Sequence, residues 1–133
     1  IMIDVSRNSY LRNIVNSGVN IWKFKCNKLD YDDMIGVRRN DNISPQLTPS
    51  IKLAKIKPFM NYYKGVSLSQ LPCKDGDIIE MRLDFNRNEL SYKVNERNAE
   101  MRYIGKLKGE YMALITMNWI GSNYSLIYFQ HIY

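Results

Sequence analysis

The amino-acid sequence predicts an all-β domain built as a two-sheet antiparallel sandwich. The 133-residue chain has about nine or ten short segments in which apolar and polar residues alternate or in which β-branched and aromatic residues cluster. Helix signals are weak, because Pro49, Pro58 and Pro72 interrupt the one long stretch that lacks clear alternation. Many short strands separated by turns are typical of a sandwich or a barrel.

The segment 19–26 gives the clearest single strand. In an extended chain, Trp22 and Phe24 fall on one face, whereas Lys23 and Lys25 fall on the other. A helix would spread these residues around its circumference. We therefore expect a strand with one buried and one solvated face.

The segments Ile79–Phe85 and Glu89–Val94 predict a β-hairpin. Both alternate with a period of two, and the turn between them, Asn86–Asn88, contains asparagines that tolerate left-handed backbone. On this pattern Glu80 and Asp84 belong to the solvent face of the first strand. Charged residues in such a position need no catalytic explanation.

Further strands are expected elsewhere in the chain. The predicted segments are Ile1–Val5, Tyr10–Ile14, Met34–Val37, Lys52–Ile56 and Met101–Tyr103, with a closing hairpin of Tyr111–Asn118 and Tyr124–Ile132 around Gly121-Ser122-Asn123.

The length of the chain suits one domain, residues 1–133, which we expect to be part of a longer protein. The sequence has no apolar run long enough to span a bilayer, so no membrane association is expected. Two cysteines, Cys26 and Cys73, are too few for a disulfide scaffold. We expect reduced thiols and an intracellular location, although the spacing alone leaves one bridge possible.

The formal net charge of +6 is concentrated in one segment, residues 38–74. Its basic residues are Arg38, Arg39, Lys52, Lys55, Lys57, Lys64 and Lys74. One interpretation is a solvated, lysine-rich connection. The other is a surface that binds nucleic acid, in which Phe59, Tyr62 and Tyr63 would stack on bases.

The sequence contains no recognisable set of catalytic or metal-binding residues. His131 is the only histidine, no phosphate-binding glycine loop is present, and the two cysteines are far apart. The acidic run 30–33 lacks the spacing of a calcium loop and is interpreted as a solvated turn. We therefore predict that the protein is not an enzyme, binds no cofactor or metal, and has no small-molecule substrate.

Several short motifs, taken in order, resemble the SPRY (B30.2-like) domain family. They are Gly18–Lys25, Ile35–Val37, Lys74–Asp84, Leu90–Tyr92 and Tyr111–Leu114, and the resemblance extends over roughly residues 18–128. It implies two bent antiparallel sheets packed face to face, like the concanavalin A-type jelly roll. It also implies a non-catalytic module that binds a partner protein or short peptide through loops at one edge of the sandwich.

The resemblance also suggests where a partner would bind. SPRY domains with a SOCS box have a tryptophan before a glycine between their last two strands, where it lines a peptide pocket, and Trp119, Ile120 and Gly121 are similar. Two interpretations of Trp119 stay open, an interface residue or a core residue. The candidate binding residues are Trp119, Asn118, Asn123, Tyr31, Arg38 and Arg39. The alternatives are nucleic-acid binding through residues 38–74 and a glycan-binding, lectin-like module.

Overall fold

The computed structural model describes residues 7–10, 13–29, 33–39, 50–55, 70–103, 106–117 and 121–133. Ten strands lie in this part of the chain: β1 (Arg7–Tyr10), β2 (Val19–Lys28), β3 (Met34–Arg39), β4 (Ser50–Lys55), β5 (Gln70–Cys73), β6 (Ile78–Asp84), β7 (Glu89–Val94), β8 (Arg97–Tyr103), β9 (Tyr111–Met117) and β10 (Asn123–Ile132). Within the described residues no helix is long and apolar enough to cross a bilayer.

The strands form two five-stranded sheets. Sheet I has the order β1-β9-β3-β4-β5, and sheet II has the order β10-β2-β6-β7-β8. All of these pairings are antiparallel except that of β4 with β5, which is parallel. The prediction of an all-β, two-sheet sandwich is confirmed.

β2 supplies the centre of the core. Its alternating sequence leaves Trp22, Phe24 and Cys26 at 0%, 1% and 0% exposure, while Lys23 and Lys25 face outward. The Trp22 ring packs on that of Phe129 with a centroid distance of 5.4 Å. Burying such aromatic side chains stabilises the fold by roughly 25 cal/mol for each Å² removed from water.

A hydrogen bond crosses the core between the two sheets. The hydroxyl of Tyr92, on β7 of sheet II, donates to the carbonyl oxygen of Ile35, on β3 of sheet I, at 2.9 Å. Both residues are almost fully buried. Because a buried hydroxyl must find a partner, this bond favours one relative position of the sheets.

The predicted hairpin of β6 and β7 is confirmed, and Asn88 has the expected positive φ of 55°. The expectation for Asp84 was wrong, because this residue is only 6% exposed. Its Oδ1 accepts hydrogen bonds from the backbone N–H groups of Asn86 at 2.9 Å and Arg87 at 3.1 Å. The carboxylate is thus turned towards the backbone of the following turn and stabilises it.

A second hairpin, β7–β8, was not predicted. Its two-residue turn has positive φ at both central positions, 50° at Asn95 and 69° at Glu96, which is the pattern of a type I′ turn. Glycine is the usual residue at the second position of such a turn. Glu96 occupies it here, so the sequence does not indicate the turn.

The prediction that β9 and β10 form a closing hairpin was wrong. β9 lies in sheet I between β1 and β3, whereas β10 lies in sheet II and pairs with β2. The short connection between them therefore crosses from one sheet to the other. The predicted strand Ile1–Val5 lies outside the described residues, and in place of Tyr10–Ile14 the structure has β1 at Arg7–Tyr10. β5 was not predicted.

Cys26 and Cys73 are both buried and unbridged. A hydrogen bond with the Cys26 thiol and burial raise the pKa of the Cys73 thiol well above its ordinary value. Both effects favour the neutral thiol, so Cys73 behaves as a small core residue.

We expect Gly18→Ala to destabilise the domain more than Gly76→Ala. Both glycines have positive φ, but a Cβ at Gly18 would lie 2.3 Å from the carbonyl oxygen of Ile132, whereas a Cβ at Gly76 would meet nothing within 4 Å. Gly76→Ala should cost only the backbone strain, about 1–2 kcal/mol. Urea denaturation of the two variants measures the difference, and equal losses would contradict the steric argument.

Candidate recognition surface

The sandwich has two ends with different loops. At one end β2 and β7 finish and β3, β6 and β10 begin, as the pairings Lys28–Asn123 and Lys25–Ile78 show. We call this the Asp33 end. β3 finishes at the opposite end with Arg39, which we call the Arg39 end.

Asp33 is a fully buried carboxylate at the Asp33 end. Its Oδ2 accepts hydrogen bonds from the Ser122 hydroxyl at 2.8 Å and from the Tyr124 hydroxyl at 2.6 Å. A buried carboxylate is costly unless donors surround it, and such charge-assisted bonds are stronger than neutral ones. Asp33 therefore ties the β2–β3 connection to the β9–β10 connection.

Tyr124 is held as a hydrogen-bond donor. Burial and the hydrogen bond to the Asp33 carboxylate raise the pKa of its hydroxyl far above the ordinary value of 10.0. The phenol consequently stays protonated in the folded state over the whole physiological range. Because Tyr124 is the second residue of β10 in sheet II and Asp33 directly precedes β3 of sheet I, this bond also joins the sheets.

The turn between β5 and β6 packs against the end of β2. Gly76 N–H donates to the carbonyl oxygen of Cys26 at 2.6 Å, and Leu29 N–H donates to Oδ1 of Asp75 at 3.1 Å. The side chains of Lys74 and Asp75 are nevertheless exposed. The turn thus presents polar side chains on a fixed backbone.

A second buried carboxylate, Asp77, connects this turn to the β7–β8 turn. It is 3% exposed, and its oxygens accept from Lys74 N–H at 3.0 Å and from Nδ2 of Asn95 at 2.9 Å. Asn95 also exchanges two bonds with Ile78, through its backbone N–H and its Oδ1, each at 2.9 Å. Two turns of the Asp33 end therefore hold each other in place.

Asn123 lies in an exposed row of polar side chains beside these turns. Nδ2 of Asn27 donates to Oδ1 of Asn123 at 2.8 Å and to Oγ of Ser125 at 2.7 Å. Since Oδ1 of Asn123 accepts this bond, its own Nδ2 group is directed away from Asn27. An amide in this position is able to bond a partner's backbone.

The structure separates the predicted binding residues. Asn123 lies at the Asp33 end, whereas Arg38 and Arg39 are half-buried at the Arg39 end, about 20 Å away along β3. Tyr31, Asn118 and Trp119 lie outside the described residues. The two arginines therefore do not belong to the same loop cluster as Asn123.

Asp33, Ser122 and Tyr124 were missed by sequence reasoning. The acidic run 30–33 was interpreted as solvated, but Asp33 is 0% exposed. The available signal was its position directly before the buried strand β3, where a side chain is forced towards the core. Its two donors are 89 and 91 residues away in sequence, so no local pattern announces them.

His131 lies beside Asn20, at the start of β2. Its Nδ1 lies 2.6 Å from Oδ1 of Asn20, and Nδ2 of Asn20 donates to the Ser17 carbonyl oxygen at 3.0 Å. With its Nδ2 group directed to Ser17, Asn20 accepts through Oδ1, and Nδ1 of His131 donates. In the described part of the chain no group of three or more histidine, cysteine or acidic side chains is placed to hold a metal ion.

Comparison with solved structures identifies the fold. The SPRY domain of human HERC1 matches with a TM-score of 0.62 and 17% sequence identity, covering 91% of this chain and 79% of that chain. This chain has a SPRY-like fold. The TRIM65 PSpry domain matches similarly, with a TM-score of 0.61, 15% identity and coverage of 91% and 70%. No family model and no curated protein matches the sequence.

Tyr124→Phe should destabilise this SPRY-like domain by about 1–3 kcal/mol, because it removes a hydrogen bond to a buried carboxylate. Tyr128→Phe is the matched control, since Tyr128 lies on the same strand and its hydroxyl makes an exposed bond to Gln130. That change should stay within about 0.5 kcal/mol. Thermal and urea unfolding of both variants measure the difference, and equal effects would argue against the buried bond.

Stability should fall at alkaline pH in a way that depends on Tyr124. Its pKa is raised in the folded state, so its contribution is complete below the unfolded value of 10.0 and declines as the pH rises above it. Above about pH 10, wild type should lose up to about 1.4 kcal/mol per pH unit more than Tyr124→Phe. Parallel stability curves for the two proteins between about pH 8 and pH 11 would contradict this linkage.

Proposed function

We propose that this SPRY-like domain is a non-catalytic module that recognises a partner protein or a short peptide through the loops at its Asp33 end. The observation that carries the proposal is the pair of hydrogen bonds from Ser122 and Tyr124 to Asp33. They fasten together the two connections that contain the candidate residues Tyr31 and Trp119. Tyr31 is two positions before Asp33, and Trp119 is three positions before Ser122.

Fixed loop ends favour binding because less conformational entropy is lost when a partner is ordered against them. At the Asp33 end, both the Lys74–Asp77 turn and the Asn95–Glu96 turn are cross-bonded, as described above. Their exposed polar groups, together with Asn123, form a rim of the kind that surrounds aromatic anchors in protein interfaces. Trp119 and Tyr31 are the proposed anchors.

A recognition role is also supported by the fold, since SPRY domains generally act as interaction modules rather than enzymes. The engagement of His131 with Asn20, close to Gly18 at the Arg39 end, supports the same interpretation. The unbridged thiols support the proposal of an intracellular protein, because reduced cysteines are usual in that environment.

Nucleic-acid binding and glycan binding stay predictions. The described parts of the basic segment 38–74 include Arg38 and Arg39 at the Arg39 end and Lys74 at the Asp33 end. These charges are therefore divided between the two ends, which favours the protein-binding proposal over a single nucleic-acid surface.

The test is a peptide selection that compares wild type with Trp119→Ala. Random peptides displayed on phage would be selected on the wild-type domain, and the enriched sequences measured by fluorescence anisotropy. If Trp119 is an anchor, Trp119→Ala should weaken the enriched peptides by about 30-fold or more, as expected for an interface hot spot. Its melting curve should remain that of wild type.

Arg39→Ala is the control, because Arg39 lies at the opposite end of β3. It should change peptide affinity by less than about twofold if the Asp33 end is the binding surface. A large loss with Arg39→Ala and none with Trp119→Ala would move the site to the other end. A large fall in the melting temperature of Trp119→Ala would instead identify Trp119 as a core residue.

A further inference from the structure

A separate surface lies on β10, along the edge of sheet II. β10 is ten residues long and hydrogen-bonds to β2 on one side, and no strand among the described residues pairs with its other side. Such an edge presents a row of backbone donors and acceptors. These groups can pair with an added extended segment.

Exposed apolar side chains are concentrated at this edge. Of the seven large hydrophobic residues that are exposed in the described structure, four belong to β10: Leu126, Ile127, Tyr128 and Ile132. Single exposed hydrophobic residues are ordinary on protein surfaces. Their clustering on one long edge strand is not, because edge strands are commonly protected by charge or by covering elements.

An irregularity in β10 shapes a groove on the outer face of sheet II. The pairing with β2 shifts between Leu126 and Tyr128, so Ile127 has no counterpart and projects beside Tyr128. The groove has a volume of about 320 Å³ and is lined by Ile21, Lys23, Glu80, Ile127, Tyr128 and Gln130. Its size suits one apolar side chain of a bound segment.

Lys23 lines this groove and contacts an aromatic ring and two carboxylates. Its Nζ lies 5.8 Å from the centre of the Tyr128 ring and 3.6 Å from Oε1 of Glu80. A second contact, at 3.5 Å, joins it to Glu96. The ammonium group of Lys23 thus lies over one face of the Tyr128 ring, and the other face is directed towards solvent.

The charge of the surrounding face indicates the chemistry of the occupant. β2, the strand beside β10, carries Lys23, Lys25 and Lys28, and neither β2 nor β10 carries an acidic residue. The nearby carboxylates of Glu80 and Glu96 both contact Lys23. A second copy of the domain would bring the same basic excess to the contact, which like-charge repulsion disfavours. An acidic segment is complementary to it.

We propose that the outer edge of β10 binds an extended, acidic segment of a partner protein, which adds to sheet II as a further strand and places an apolar side chain in the Ile127–Tyr128 groove. Backbone pairing would provide affinity, and the groove and the basic face would provide specificity. This surface is distinct from the loops of the Asp33 end. The inference therefore goes beyond the proposed loop recognition and does not depend on it.

The test uses three fluorescein-labelled decapeptides and the whole domain. The first has Val, Ile and Phe at its centre with Glu and Asp at both ends, the second replaces the acidic residues with Lys, and the third is the acidic peptide with two central prolines. Anisotropy should show saturable binding of the acidic peptide, with the lysine and proline peptides each weaker by about tenfold or more. The amide NMR signals of β10 should shift on binding.

Two matched pairs of variants locate the contact. Ile127→Ser should weaken the acidic peptide by about tenfold, whereas Ile14→Ser, at another exposed isoleucine, should change it by less than about twofold. Lys25→Glu should also weaken binding, whereas Lys106→Glu, with the same change of net charge on an exposed lysine elsewhere, should have a smaller effect.

Three results would overturn the proposal. One is no binding of the acidic peptide at about 1 mM protein, a concentration at which even weak recognition is detectable. Another is equal binding of the acidic and lysine peptides. The third is a concentration-dependent dimer in sedimentation that is lost with Ile127→Ser, because this would assign the edge to a second copy of the chain.

Discussion

The burial of one face of β2 against sheet I is the interaction on which the rest of the structure depends. Trp22 and Phe24 lie on that face, and both neighbouring strands of sheet II take their register from the same strand. Because side chains alternate strictly, a shift of one residue would turn these aromatic rings to solvent and bring Lys23 and Lys25 inside. The core therefore fixes the register of three strands at once, and with it the place where each connecting loop begins.

Asp33 joins two connecting loops of this framework. Ser122 and Tyr124 stabilise its buried carboxylate by donating hydrogen bonds from the other connection. The arrangement costs some of the stability that an apolar core would provide, since desolvating a carboxylate is unfavourable. These directional hydrogen bonds fix the relative position of the two connections more specifically than apolar contacts would, because apolar contacts have no preferred direction.

The sequence was most informative where alternation is regular and local. β2 and the β6–β7 hairpin were predicted nearly to the residue because neighbouring positions alone determine their faces. β10 does not follow this regular alternation, because Ile127 is an extra residue that has no partner on β2. Before it Tyr124 pairs with the inward residue Cys26, and after it Phe129 pairs with the inward residue Trp22. Inward positions are therefore even-numbered before Ile127 and odd-numbered after it. The burial of Asp33 depends on groups distant in sequence, and the crossing between β9 and β10 looks locally like an ordinary hairpin turn.

The position of the last two strands has a consequence for how the chain folds during synthesis. β9 is inserted between β1 and β3, and β10 covers the outer side of β2, so both sheets need strands that leave the ribosome after most of the chain. Before β9 is synthesised, β1 has no neighbouring strand among the described residues, and sheet I lacks the strand that lies between β1 and β3. Pairings between such distant segments slow folding and prolong the exposure of apolar strands. A nascent chain of this kind leaves apolar strands unpaired for longer than one whose sheets are built from successive hairpins.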